Sequence, residues 1–160
     1  HRGFGFEYGS GHGERLRWLK EALPVVRGML DGTRPTAAGD HYHMVNAENV
    51  PPPIQEHLPI LVGGSGPKVT LRLVAEYADA WNCFGPPENV AELSAILDDW
   101  CAQVGRNPAE IEHTVCIAPD DVNDVGRYLD VGVDHLVIMT GAPFDMGPLE
   151  TLIAQRDALG

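Results

Sequence analysis

The chain has 160 residues, 44% of them hydrophobic, and 23 acidic against 11 basic side chains give it a formal charge of −12. A length of one ordinary domain can bury roughly 70% of its extended surface, and so acidic a balance disfavours nucleic acid or an anionic lipid surface as a partner. No apolar stretch nears the ~20 residues of a membrane span, and Cys83, Cys101 and Cys116 form no CxxC pair, which fits small core fillers in a reduced cytoplasm.

The opening stretch HRGFGFEYG carries no secretory pattern and reads like the interior of a domain, so a missing N-terminal portion is expected. From Glu14 to Leu30, apolar residues at Leu16, Leu19, Leu23, Val26 and Leu30 paint one helical stripe. Pro24 inside it removes one backbone hydrogen bond and is expected to bend the helix. Residues 31–57 show no sustained period, look extended around Tyr42 to Val45, and meet Pro51, Pro52 and Pro53. That segment reads as an insertion loop within one domain of residues 1–160, with room for a short hairpin.

A regular rhythm follows. Pro59 to Val62 reads as a buried strand, Val69 to Tyr77 as a helix with Val69, Leu73 and Tyr77 on one face, and Ala78 to Cys83 as a strand. Val90, Leu93, Leu97, Trp100 and Val104 give the next helical stripe, closed by Gly105. Ile111 to Ala118 alternates like a strand. Asp120 or Asp121 then caps a helix carrying Val122, Val125 and Leu129 and ending at Gly132. His135 to Thr140 is the last strand and Pro148 to Leu159 the last helix. Four strand–helix steps predict parallel strands joined by crossovers, in a sheet covered on both sides or in a barrel.

Between the first buried strand and its helix stand Gly63, Gly64, Ser65, Gly66, Pro67 and Lys68. Unpaired N–H groups at a helix start favour an anion, and glycines let the backbone approach one closely. Ser65 adds a hydroxyl, and Lys68 and Arg72 add positive charge. Pro67 directly before the lysine excludes a Walker loop, and Val69 stands where a dinucleotide fingerprint has its third glycine. The pattern alone leaves two readings, a phosphate cradle and a plain strand-to-helix turn.

The longer stretch LPILVGGSGPKVTLRLVAEYADAWN resembles the luciferase-like family of flavin- and deazaflavin-dependent oxidoreductases. YGSGHGERLRWLKEALPVVRGML, GDHYHMVNAENVPPPIQ, VGRNPAEIEHTV and VGVDHLVIMT are similar to further family segments, in the same order. The resemblance implies an α/β fold, the C-terminal half (strands five to eight) of a (β/α)8 TIM barrel with an insertion, because a whole barrel needs about 250 residues. It also implies that Gly63, Gly64, Ser65, Gly66, Pro67 and Lys68 hold the phosphate region of coenzyme F420, with FMN as the alternative. Ala80 departs from the family's glycine in its ADGWN-like strand, and Pro24 from its unbroken helix.

Trp81 and Asn82 end the second strand, where side chains would face a barrel mouth and touch substrate or cofactor ring. For Asn82, a purely local backbone role is the competing reading. His41 and His43 form an HxH pair for which no third ligand is evident, so no metal site is expected. His113 or His135 could carry a proton, although a surface or strand-edge place suits both. Thr140 and Gly141 are candidate pocket-lining residues, and Asp98 and Asp99 suit a solvated helix face. The expected activity is hydride transfer between F420 and a small organic substrate. The alternatives are an FMN-dependent monooxygenase and a non-catalytic flavin-binding half-barrel module. Four strands alone leave two open edges and one bare face, so homo-oligomerisation or pairing with a missing N-terminal half is expected. Catalytic residues from the first four strands are not assigned.

Overall fold

The computed structural model describes residues 2–159. Contacts divide the chain into two units, His1–Ile60 and Leu61–Gly160.

In the first unit a 3-10 turn (Arg2–Phe4) precedes α1 (His12–Leu30), which runs on past Pro24 as one element. The buried positions of α1 are Leu23 and Val25, whereas Val26 of the expected stripe is 42% exposed. The insertion does contain a short antiparallel hairpin, β1 (Ala37–Ala38) with β2 (His43–Met44). Its turn is held by α1: the Glu21 carboxylate accepts the backbone N–H groups of Asp40, His41 and Tyr42 at 3.2, 3.0 and 3.1 Å. The N–H groups of Tyr42 and His41 keep that carboxyl below its ordinary pKa. His41 stacks on Trp18 with ring centroids 3.9 Å apart.

The second unit is built on four parallel strands in the order β3 (Leu61–Gly63), β4 (Ala80–Phe84), β5 (Glu112–Ile117) and β6 (His135–Ile138). The helices α2 (Thr70–Tyr77), α3 (Pro87–Val104), α4 (Val125–Asp130) and α5 (Gly147–Leu159) follow the strands in turn. The four strand–helix steps expected from the sequence are therefore present. Gly105 closes α3 with φ 74° and Gly132 follows α4 with φ 80°, both in the left-handed region that favours glycine.

Register separates the sheet into two faces. Val62, Trp81 and His113 are aligned across it, and so are Cys83, Val115 and Leu136. On this face Val62, Trp81, Cys83, Val115 and Ile117 are all buried against the helices. The alternate positions form the other face: Leu61 with Ala80, then Gly63, Asn82, Thr114 and His135, then Phe84, Cys116 and Val137. There Leu61 and Phe84 are 55% and 56% exposed. One face is a core and the other is open.

Two helices depart from the expected stripes. In α2 the buried residues are Leu71, Leu73, Val74 and Ala75, while Val69 lies before the helix and is exposed, because α2 packs on α3 as well as on the sheet. Arg106 reinforces the end of α2 by donating to the Ala78 carbonyl at 2.7 Å and the Ala75 carbonyl at 3.3 Å. The helix expected to run from Asp120 or Asp121 to Gly132 is instead a 3-10 turn (Pro119–Asp124) followed by α4. Asp121 serves the start of that turn, accepting the Ala118 N–H at 3.2 Å. Three residues per turn instead of 3.6 rotate the stripe, so Tyr128 becomes the inner residue at 2% exposure and Leu129 turns outward.

Candidate functional site

The glycine-rich segment leaves β3 at the C-terminal edge of the sheet and enters α2 at Thr70. Two of its carbonyl groups are tied back into the fold by indoles: the Trp81 N–H donates to the Gly64 carbonyl at 2.8 Å, and the Trp100 N–H to the Pro67 carbonyl at 2.8 Å. The Gly64 N–H is also engaged, by the Asn82 carbonyl at 2.9 Å. The N–H groups of Ser65, Gly66, Lys68, Val69 and Thr70 donate to no acceptor among the described residues. Donors are thus left for an outside partner while the Gly64 and Pro67 acceptors are withdrawn. That asymmetry suits an anion.

The individual glycines have different reasons to be there. Gly64 has φ +135°, and an added Cβ would sit 3.1 Å from Thr70 Cγ2. At Gly66 a Cβ would meet Thr70 Oγ1 at 2.7 Å, so the buried Thr70 side chain is accommodated only beneath a bare backbone. Gly63 has open space at its Cβ position, the nearest atom being the Asn82 carbonyl oxygen at 4.0 Å. Lys68 is exposed and forms no ion pair among the described residues. Arg72, expected to reinforce it, is paired instead with Glu76 at 2.8 Å and lies over the Trp100 ring, 5.5 Å from its centroid.

Trp81 takes a different place from the one expected. It is wholly buried on the helix face of β4 with its N–H on Gly64, so it fixes the loop from behind and does not line a mouth. Strand alternation sends position 81 to the core and position 82 to the open face. Asn82 there donates to Thr114 Oγ1 at 2.7 Å, and its carbonyl oxygen accepts a weak bond from the Cys116 thiol at 3.5 Å. Thr114 in turn donates to the Trp81 carbonyl at 3.1 Å. The Asn82 amide is therefore locked in one orientation.

His113 lies on the helix face, edge-on to Trp81 with centroids 5.3 Å apart, and its Nδ1 is 3.4 Å from Ser94 Oγ. Burial lowers its pKa, against an opposing pull from Asp134 and Asp98. His135 is exposed beside Glu112 at 3.2 Å, and Thr140 and Gly141 are exposed beyond β6. Cys83 and Cys101 are buried fillers, and burial pushes the Cys83 thiol up to about 11. Cys116 is only half-buried, because its strand position faces the open side. His41 and His43 belong to the hairpin of the first unit. Thr70 and Thr114 have no site role readable from the sequence, and Trp100 appears there only as a member of a helical stripe. Of these, only Trp100 carried a signal, as a donor one helix away that needs an acceptor when half-buried.

Among the described residues no group of three or more His, Cys, Asp or Glu side chains is placed to hold a metal ion, and no helix is long and apolar enough to cross a membrane.

A family model described as luciferase-like monooxygenase matches residues 2–121. An uncharacterized protein of Mycobacterium tuberculosis is 30% identical over 137 residues, which are 84% of this chain and 46% of the relative. The chain spans about half the length of the curated relatives it matches. Among solved structures, an F420-dependent secondary alcohol dehydrogenase in complex with an F420-acetone adduct superposes with TM-score 0.70 at 16% identity, over 82% of this chain and 58% of that one. A long-chain alkane monooxygenase superposes with TM-score 0.60 at 16% identity, over 81% and 37% of the respective chains. These likenesses are of fold, and the four parallel strands with their helices form a partial barrel of that kind.

Proposed function

Because the chain belongs to the luciferase-like monooxygenase family, we propose that it supplies strands five to eight of a flavin- or deazaflavin-dependent oxidoreductase barrel, with coenzyme F420 as cofactor and FMN as the alternative. The observation that carries this reading is the loop between β3 and α2, whose carbonyls are engaged by two indoles and whose outward N–H groups have no acceptor. Gly63, Gly64, Ser65, Gly66, Pro67 and Lys68 hold the phosphate region. Gly64 and Gly66 keep the backbone bare, Ser65 offers its hydroxyl and Lys68 its ammonium group. Trp81 and Trp100 are positioning residues that keep the donors pointed outward.

Asn82 stands on the open face with its amide oriented by Thr114 and Cys116, and it contacts the ring of the cofactor or the substrate beside it. When bound, F420 supplies hydride transfer to or from a small organic molecule, and reduced FMN would instead bring oxygen in as a co-substrate. The protein's part is to orient the two reactants and exclude water. The open face, with Leu61 and Val137 exposed on it, packs against further barrel strands, from a longer chain or from a second copy. The free thiols fit a reducing, cytoplasmic setting.

A fluorescence titration of F420 and of FMN into the chain tests the loop, with Gly63→Asp and Lys68→Ala measured in parallel. Gly63 is the right probe because a side chain there meets open space, so a carboxylate is introduced without disturbing the backbone. Binding of one cofactor, weakened at least tenfold by Gly63→Asp and less by Lys68→Ala, is the expected result. Equal binding by the Gly63→Asp chain, or no binding of either cofactor, would reject the loop as a phosphate site.

A further inference from the structure

Beyond the C-terminal ends of β4 and β5 lies a cavity of about 360 Å³ lined by Phe84, Gly85, Pro86, Cys116, Tyr128 and Met139 among others. That is a size typical of a small-molecule pocket. The glycine loop has no part in its lining. Tyr128 is the unusual member. The residue is 2% exposed, yet its hydroxyl has no hydrogen-bond partner among the described residues. No wholly buried polar side-chain atom among those residues lacks a partner, so this hydroxyl is the part of Tyr128 that reaches the cavity. Gly85 keeps it uncovered: a Cβ at that position would stand 2.1 Å from the hydroxyl oxygen. A buried ring presenting one unsatisfied donor to an open cavity leaves that donor for a ligand.

The rest of the lining defines what the ligand can be. Phe84 and Met139 are 56% and 43% exposed and offer apolar surface. The charged members are Asp121, Asp124 and Arg127, and Arg127 is already bound to Asp124 at 3.1 Å and to Glu88. Carboxylates therefore outnumber the one guanidinium, which is committed to them. An anionic ligand would meet net repulsion here, and no phosphate-binding group is available.

We propose that this cavity is a binding site for a neutral organic molecule with an apolar body and one hydrogen-bonding oxygen, the oxygen seated on the Tyr128 hydroxyl and carboxylic acids refused. As the substrate pocket of the enzyme it rests on the oxidoreductase reading. As a binding site it does not, because binding can be read without any cofactor.

The probes are cyclohexanol and cyclohexanecarboxylate, titrated into the isotope-labelled chain and followed by backbone amide shifts. Cyclohexanol is expected to move Gly85, Cys116, Ala118 and Met139. Tyr128→Phe, which keeps the ring and removes only the oxygen, should weaken it roughly fivefold, the scale of one neutral hydrogen bond. Cyclohexanecarboxylate should leave these signals in place in the native chain and gain measurable binding in Asp124→Asn. The proposal is overturned if cyclohexanol shifts other residues or none, if Tyr128→Phe binds it equally well with an otherwise native spectrum, or if the carboxylate binds the native chain as tightly. A chain that binds cyclohexanol through Tyr128 but neither F420 nor FMN would keep this pocket and sink the oxidoreductase reading. The reverse pattern would do the opposite.

Discussion

The two faces of the sheet are made by the same strands and have opposite characters. Along β4, Trp81 and Cys83 are 0% and 1% exposed under the helices, while the next residue on the other side, Phe84, is 56% exposed. On the helix face nearly every side chain is interlocked apolar volume. On the open face a short polar relay, Thr114, Asn82 and Cys116, is flanked by bare hydrophobic side chains. The difference teaches where each property of the molecule resides. Stability is a matter of the helix face, and on the reading proposed above recognition belongs to the open face and to the edge where the strands end. Trp81 joins the two, because it is a core residue whose only polar side-chain atom holds the glycine loop.

The largest expected effect separates the faces directly. Trp81→Ala deletes a wholly buried indole and should lower the unfolding free energy by about 3–5 kcal/mol. Phe84→Ala, three residues further along the same strand but on the other face, should change it by less than about 0.5 kcal/mol. Urea unfolding followed by circular dichroism measures both. Similar losses from the two substitutions would mean that the open face is also structural in this chain, and the distinction would fail.

A middle-sized effect sharpens the comparison within the loop. Gly64→Ala forces a side chain into φ +135° and against Thr70 Cγ2, at a cost of roughly 1–3 kcal/mol. Gly63→Ala, facing open space on the bare side, should cost less than about 0.5 kcal/mol. Thermal unfolding of the two variants separates conformational need from site chemistry. If Gly63→Ala proves as damaging as Gly64→Ala, the loop does not have the backbone described.

Much of this was legible in the sequence and some could not be. The four strand–helix steps follow from apolar runs and glycine stops, and Gly105 and Gly132 fall where left-handed backbone ends a helix. The resemblance pointed to half a barrel, which the parallel order of β3 to β6 matches. What periodicity could not give was the direction of single side chains. Trp81 and Asn82 are neighbours and were expected to act together, but the strand's period of two sends them to opposite faces. Arg72 was placed beside Lys68 by helical spacing, yet Glu76, one turn further on, holds it. The 3-10 turn at Pro119–Asp124 shifted the stripe by one residue and brought Tyr128 inward, a rotation no apolar count records. The Tyr128 cavity depends on that shift, and for that reason it was invisible beforehand.

The smallest effect concerns the helix face alone. His113 is packed edge-on against Trp81, and burial, only partly opposed by Asp134 and Asp98, favours its neutral form in the folded state. Its folded pKa lies below the ordinary value of 6.5, so in acid the unfolded chain takes up a proton that the folded chain resists. The contribution of this residue to stability is therefore complete above pH 6.5 and is lost progressively as the pH falls below that value towards the lowered one. Carboxylates that titrate in acid add their own slope, so the informative quantity is the difference between the native chain and His113→Gln. Urea midpoints measured from pH 7.5 to 5 should converge as the pH falls, since the variant lacks the proton uptake that weakens the native chain. Because the ring touches the tryptophan that holds Gly64, affinity for the cofactor proposed above should change over the same interval in the native chain and stay flatter in the variant. Parallel curves for both quantities would show that His113 is not buried as a neutral ring, and that the helix face is less tightly sealed than the exposure of Trp81 implies.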